Sequence, residues 1–373
     1  MQSQLEQLEK EYGIEWQNYA IGDLFEVGTG SLVDIKSAKN GKIPRISVQT
    51  TDNGILGYFD EQVENARYFE NFVSVNFFGI SYYHPYRASV EMKVHTLTLK
   101  SGCNFTQSVG VFFSTLLNRR FDGIFSYGNQ LSSSKLKKDG IKIKLPTIIE
   151  NGKPQIAFDF MEKFIATLNA ERLATLNAYL TATGLKDYTL TDDEKAALDG
   201  LGATACGKFN LENLYGKSSR GRRLKSAHRI DGELPFVTAG ESDSGISAWI
   251  GNAVHVYSEN TVTIDMFGSA KYRNYKYGAD DHVAVVHTES LQKFATLYLT
   301  AAIHKSSHAG QFDYSRNFYA SDADELNISL PITTDNIPNY DHMSLVISAM
   351  QKVVIKNFVD YLDMRIEKTG EKL

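Results

Sequence analysis

The sequence has only two cysteines, Cys103 and Cys206. That excludes a disulfide framework and a Cys-based zinc site, which needs ligands in closely spaced pairs. Both are expected to be isolated reduced thiols. No Pro-Pro pair occurs, so the polar-Pro-Pro-aromatic motif with which amino-methyltransferases hold a target amine is missing. No uninterrupted apolar run approaches the roughly 18 residues of a membrane span. The amino-terminal Met1-Gln-Ser-Gln-Leu-Glu-Gln has neither the basic nor the apolar part of a signal, which makes the cytoplasm the expected compartment. Excess positive charge is also lacking. The formal net charge is −5, whereas a stand-alone nucleic-acid binder carries surplus cations to displace counterions from phosphate.

Local signs of catalysis are equally thin. Phe25-Glu-Val-Gly28-Thr-Gly30 has the glycines of a cofactor loop without a strand-loop-helix context or a counterpart later in the chain, and it is expected to be a turn. Glu91-Met-Lys93 has the spacing of a nuclease metal-and-lysine pair with no Pro-Asp element ahead of it. His304 and His308 stand four apart, as two metal ligands on a helix would, but no third ligand accompanies them. No catalytic residue, cofactor or metal is therefore assigned.

What the chain does contain is itself, twice. Gly41-Lys-Ile-Pro44 through Asp52-Asn-Gly54-Ile55 returns without a gap as Gly232-Glu-Leu-Pro235 through Asp243-Ser-Gly245-Ile246. Val73-Ser-Val-Asn76-Phe-Phe-Gly79 returns as Val262-Thr-Ile-Asp265-Met-Phe-Gly268, Phe125-Ser-Tyr127 as Phe312-Asp-Tyr314, and Leu145-Pro146 as Leu330-Pro331. The period far exceeds that of a solenoid repeat, so each copy is a domain. With 42% apolar and 22% charged residues, the composition is that of an ordinary globular protein with material for two cores. The copies keep Gly, Pro and apolar positions and differ in polar loops: one scaffold, two specificities.

Each copy reads as strand-rich α+β. Segments 73–78, 94–99 and 262–267 alternate apolar and polar residues at period two, while 112–118 and 291–304 read as helices packed on those strands. A long helical pattern follows each copy. Asp159 with Glu162 can cap the first, whose apolar positions run from Met161 to Leu180. The second carries Met343, Val346, Ile347, Met350, Val354, Phe358, Tyr361 and Leu362 on one stripe, with Gly370 beyond its end. The two stripes are expected to bury each other as an antiparallel, coiled-coil-like spacer with pseudo-twofold symmetry, about 33 to 36 Å long, close to one turn of B-DNA. Between the copies, Thr191-Asp-Asp-Glu194 before Lys195-Ala-Ala-Leu198 and Gly200 is a capping box, a short helix and a stop. The expected layout is a first domain over 1–157, a helix over 158–183, a linker over 184–206, a second domain over 207–338 and a helix over 339–369.

This order of motifs resembles the specificity subunits of Type I restriction-modification systems. It comprises an opening like Trp16-x-x-Tyr-x-Ile21-Gly-Asp-Leu-Phe25, the Gly-x-x-Pro to Asp-x-Gly segment, and Leu-Pro before a long helix. The resemblance extends over nearly the whole chain, and 185–195 is similar to a connector in related Type II subunits. It implies two tandem target recognition domains, each reading half of a bipartite double-stranded DNA target. It also implies two docked methyltransferase subunits, a restriction or translocase subunit in a Type I complex, no membrane and no catalysis in this chain. The alternative left open by the residues alone is a non-catalytic two-domain adaptor for another polymer or protein.

Base reading needs Arg or Lys for guanine, Asn or Gln for adenine, and short polar or aromatic groups on loops. In the first copy Gln49, Thr50, Thr51 and Asn53, then Tyr82, Tyr83, His84 and Arg87, then Asn129, Gln130 and Lys135 meet that description. In the second, Ser242 and Ser244, then Lys271, Tyr272, Arg273, Asn274 and Lys276, then Arg316 and Asn317 do. Phosphate contacts are expected from Ser132, Ser133 and Lys137, and from the acid-free basic cluster of Arg220, Arg222, Arg223 and Lys225. The bland reading of either basic run, the second being 135–144 with its single Asp139, is solvated surface. Asp52 and Asp243, each two residues before a Gly, are expected to close Asx turns rather than to touch bases.

Overall fold

The computed structural model describes residues 2–34, 38–60, 63–100, 105–138 and 140–370; Cys103 and Asp139 lie outside the described residues. Two compact units emerge, Met1–Leu176 with Arg365–Leu373, and Asn177–Met364.

In the first unit an antiparallel sheet has the order Phe25–Thr29, Val94–Leu99, Phe72–Asn76, Ser81–His84. Phe72–Asn76 is buried along its whole length because both faces are covered. Period-two alternation then divides its side chains: Val73 and Val75 join the core under the helix Gln107–Phe121, and Phe72 joins Ile46, Ala88 and Val90 on the other side. Thr106 caps that helix by accepting a hydrogen bond from the Val109 N–H at 3.3 Å. A second sheet, Ile55–Phe59, Asn40–Ile46, Ala88–Val90, Tyr68–Phe69, contains one parallel pairing, Ile46 with Val90. The expected turn at Phe25 to Gly30 is instead largely strand, Phe25–Thr29 paired with Val94–Leu99. Glycine is required there because a Cβ on Gly28 would lie 2.4 Å from Thr96 Oγ1.

The second unit repeats this register for register. Ser219–Arg220, Val283–Val286, Thr261–Asp265 and Ala270–Arg273 form the same antiparallel order, and Val262 pairs with Tyr272 and Val286 as Val73 pairs with Tyr83 and Leu97. The parallel pairing recurs as Val237 with Ala279, and the helix Lys293–Ser307 replaces Gln107–Phe121. These pairings make Arg45 equivalent to Phe236, and His84 equivalent to Arg273. Among the described residues each module therefore buries one arginine, at a different position: Arg45 in the first and Arg273 in the second.

The Asp52-Asn53-Gly54 turn has φ of 49°, 50° and 77°, and Asp243-Ser244-Gly245 has 47°, 55° and 80°. Three successive left-handed residues place glycine at the third position, where a Cβ on Gly245 would come 2.8 Å from the Thr238 carbonyl. The hydrogen bonds that close the turns are backbone ones, Ser47 N to Gly54 O and Thr238 N to Gly245 O, both 2.8 Å, rather than the expected Asx pairings.

Phe158–Ala182 and Tyr340–Gly370 are the long helices, about 37 and 46 Å at 1.5 Å per residue. Asp159 lies inside the first turn, and Gly370 still belongs to the second helix. The second helix corrects the expected stripe. Met343 and Val346 are buried, Met343 within the core of its module, but Met350, Val354, Phe358 and Tyr361 on the same face are exposed, together with Val353 and Met364. Buried residues farther along, Val359 and Leu362, lie on other faces.

The linker is fastened to this helix. Thr191 and Glu194 form the capping box of Asp192–Asp199, as their spacing implies. The Glu194 carboxylate also accepts from Ser348 Oγ at 2.6 Å and Lys352 Nζ at 2.8 Å. Tyr188 donates to Asp360 at 2.7 Å, and Lys186 Nζ lies between Asn177 Oδ1 at 2.7 Å and Asp363 Oδ1 at 3.0 Å. Burial alone would push the Glu194 carboxyl up; the hydrogen bonds from Lys352, Ser348 and the Thr191 N–H, with the Lys352 charge, hold it at about 2.

Candidate nucleic-acid interface

The sequence-predicted contact residues sort into surface loops and buried struts. On the surface of the first module, Thr50, Thr51 and Asn53 are exposed on the left-handed turn. Gln49 is tied back, its amide donating to the Ile55 carbonyl. The Tyr82 hydroxyl joins this loop by donating to Thr50 O at 2.7 Å. Asn129 and Gln130 follow a two-residue turn, and Lys135 Nζ donates to Asn129 Oδ1 and Gln130 O, both at 2.8 Å. Ser132 caps Ser133–Lys137 by accepting from Lys135 N, and Lys137 is exposed. Arg87 stands over the Tyr68 ring at 4.9 Å.

Two of the candidates belong to the core instead, which corrects the expectation for them. His84 is 0% exposed; its Nε2 lies 2.9 Å from Ser74 Oγ and its Nδ1 3.2 Å from the Tyr86 hydroxyl. Burial lowers its pKa to about 4, so the imidazole is neutral. Arg273, 2% exposed, donates to Thr263 Oγ1 at 2.9 Å, Ser244 O at 2.8 Å and the Tyr275 hydroxyl at 2.9 Å. Neither presents a surface to a groove; alternation along a half-covered strand turned them inward. Tyr83 and Tyr272 are matched struts as well, their hydroxyls donating to Asn71 Oδ1 at 3.2 Å and Asn260 Oδ1 at 3.1 Å.

In the second module Ser242 and Ser244 are exposed on the equivalent turn, and Asn274 and Lys276 are exposed beyond Arg273. Lys271 is only 12% exposed and neutralised, with Nζ 3.3 Å from Asp265 Oδ2 and 3.1 Å from Glu241 Oε1. Arg316 pairs with Asp322, next to Asn317. Arg222, Arg223 and Lys225 are exposed, whereas Arg220 is anchored by donating from Nε to Asp281 O at 2.8 Å.

Among the described residues one cluster, Asp280, Asp281 and His282, brings metal-ligand atoms within 4.8 Å of one another. It occupies the strand turn that Glu91-Met-Lys93 occupies in the first module, and the Arg220 guanidinium already faces it, 3.6 Å from Asp281 Oδ2. His304 and His308 use Nδ1 locally, His304 accepting from Ala270 N at 3.1 Å and His308 lying 2.9 Å from Phe267 O.

Two copies of one scaffold, matched in register and differing in exposed polar turns, agree with what the comparisons with known proteins return. The family model described as "Type I restriction modification DNA specificity domain" matches residues 13–178 and again 207–370. The chain belongs to this family. The specificity subunit S.BcgI of a Type II restriction enzyme from Heyndrickxia coagulans is 23% identical over 354 residues, covering 92% of this chain and 96% of that one. A crystal structure of a Type I restriction-modification S subunit from M. genitalium has the same fold, with a TM-score of 0.58 at 15% identity, covering 96% of this chain and 93% of that one. The protein is a two-domain specificity subunit, the DNA-recognition and non-catalytic component of a restriction-modification system. No described helix is long and apolar enough to cross a membrane.

Proposed function

We propose that the modules over 1–157 and 207–338 each read one half of a bipartite double-stranded DNA target in the cytoplasm. The helices that follow them set the distance between the halves. The observation that carries this reading is the pairing of register-identical sheets with unlike exposed turns, Thr50 to Asn53 against Ser242 to Ser244, and Asn129-Gln130 against Arg316-Asn317. In this reading the exposed side chains on those turns face bases, and Arg222, Arg223, Lys225 and Lys137 face phosphates. Buried His84 and Arg273 shape the platform.

The uncovered part of the second long helix supports docking of a methyltransferase subunit. Met350, Val353, Val354, Phe358, Tyr361 and Met364 fall within an arc of about 140° at 100° per residue, and Val354 is 78% exposed. An apolar strip of that length is what a partner helix covers. Pseudo-symmetry of the chain favours two such subunits, and in a Type I complex a restriction subunit would join them.

Methylome sequencing of cells expressing the chain beside its neighbouring methyltransferase tests the reading. Methylation at one bipartite motif, lost when this chain is deleted, is the expected result. Exchange of the two modules should transpose the half-sites.

A further inference from the structure

The two most exposed aromatic rings among the described residues are the same residue in the two copies. Tyr127 is 80% exposed and Tyr314 84% exposed. Each opens a two-residue turn. Ser126 and Asn129 exchange backbone hydrogen bonds of 3.2 and 3.1 Å around Tyr127-Gly128, and Asp313 and Arg316 exchange bonds of 3.0 and 3.2 Å around Tyr314-Ser315. Each ring stands edge-on against an equivalent phenylalanine: Tyr127 on Phe78 at 5.0 Å and 87°, Tyr314 on Phe267 at 5.1 Å and 82°. Each tip is anchored from behind, by Leu131 N to Phe77 O and by Phe318 N to Met266 O, both 2.9 Å. Beside each stands a cation, Lys135 5.6 Å from the Phe125 ring and Arg316 5.2 Å from the Phe312 ring.

Every other residue of the turn has changed between the copies, Ser126 to Asp313, Gly128 to Ser315 and Asn129 to Arg316, while the tyrosine and its supporting ring have not. A phenol held this far into solvent contributes little to its own module's core, so its retention does not follow from folding. Two modules with different base-reading turns share one feature of their half-sites, the sugar-phosphate backbone. We propose that Tyr127 and Tyr314 are paired backbone anchors, one per half-site, whose hydroxyls donate to phosphate oxygens and whose rigid rings fix the distance of each reading turn from the groove. The proposal rests on the bipartite DNA reading above and adds two residues to it that contact no base.

The test uses the full chain assembled with its methyltransferase and a duplex carrying its methylated motif, with binding measured over a salt series. Tyr127→Phe and Tyr314→Phe keep the ring and its phenylalanine contact; an unchanged thermal midpoint verifies folding. Each is expected to weaken binding ~10-fold, the worth of a hydrogen bond to a charged acceptor, and by the same factor on a duplex with the motif scrambled. The slope of log Kd against log salt stays that of the wild type, because a neutral phenol releases no counterion. Unchanged affinity overturns the proposal. So does a change in the preferred bases, which would make the tyrosines base readers, or dissociation of the methyltransferase from the complex, which would make them a protein-binding surface. Failure of the wild-type complex to prefer any duplex would instead overturn the DNA reading on which the proposal stands.

Discussion

His84 and Arg273 occupy the same register position at the end of equivalent strands, opposite Phe72 and Thr261, and both are buried. One is a neutral ring bonded to a serine and a tyrosine, the other a guanidinium bonded to a threonine, a tyrosine and a carbonyl. The two modules should therefore respond differently to acid.

The His84 pKa is about 4 in the folded chain, below the 6.5 of a free histidine. Between those values the unfolded chain binds the extra proton, so stability falls as pH drops from 6.5 toward 4, by about 3 kcal/mol in all. Urea unfolding at stepped pH should show this loss in the transition of the first module. His84→Gln, which can still bond Ser74 but does not titrate, should reduce it and leave the part due to His95, whose pKa burial also lowers.

Arg273→Leu should destabilise the second module by about 2–4 kcal/mol, since it leaves the Ser244 carbonyl and the Tyr275 hydroxyl without their donor. Arg273→Lys keeps the charge but loses the planar fork, and should recover only part of that stability. Thermal unfolding measures both.

Glu194, held at about 2, lies below its unfolded value of 4.5 and so contributes stability above pH 4.5 that is lost as pH falls toward 2. Lys352→Met strands the carboxylate against the second long helix. Limited proteolysis should then cut the linker at neutral pH, where the wild type resists.

Arg222→Glu with Arg223→Glu should weaken DNA binding by the assembled complex and lower the salt slope by roughly one for each phosphate that is no longer neutralised. Binding measured across a salt series gives both quantities. An unchanged slope would remove these arginines from the backbone footprint.

Val354→Asp adds charge at a position 78% exposed, so the chain itself should unfold at the wild-type temperature. Copurification with the methyltransferase should disappear. Retained copurification would separate the apolar strip from that partner.

Much of the scaffold was legible because duplication doubles the signal: strands such as Val94–Leu99, the capping box at Thr191 and both long helices follow from period, caps and repeat. The site was less so. Polar residues on a strand look alike whether they face water or a second sheet, which hid the burial of His84 and Arg273. A helical stripe likewise does not reveal where its covering module ends, so Met350 to Tyr361 read as core. Lys271 read as a free cation because Asp265 and Glu241, its partners, come from other positions in the chain. Phe-x-Tyr at 125–127 and 312–314 was visible as a repeat, but nothing in the sequence said that its ring stands in solvent.

The displaced buried arginine limits how the two copies can be combined in a mosaic. The first copy keeps its guanidinium at Arg45 and has His84 at the later position; the second has Phe236 at the earlier position and its guanidinium at Arg273. A crossover that exchanges a whole copy carries both positions together. A crossover between them yields one hybrid with two like charges in a single interior and another with none, and the first is heavily penalised by burial of unpaired charge. Viable mosaics of the two copies should therefore have their junctions outside 45–84 and 236–273.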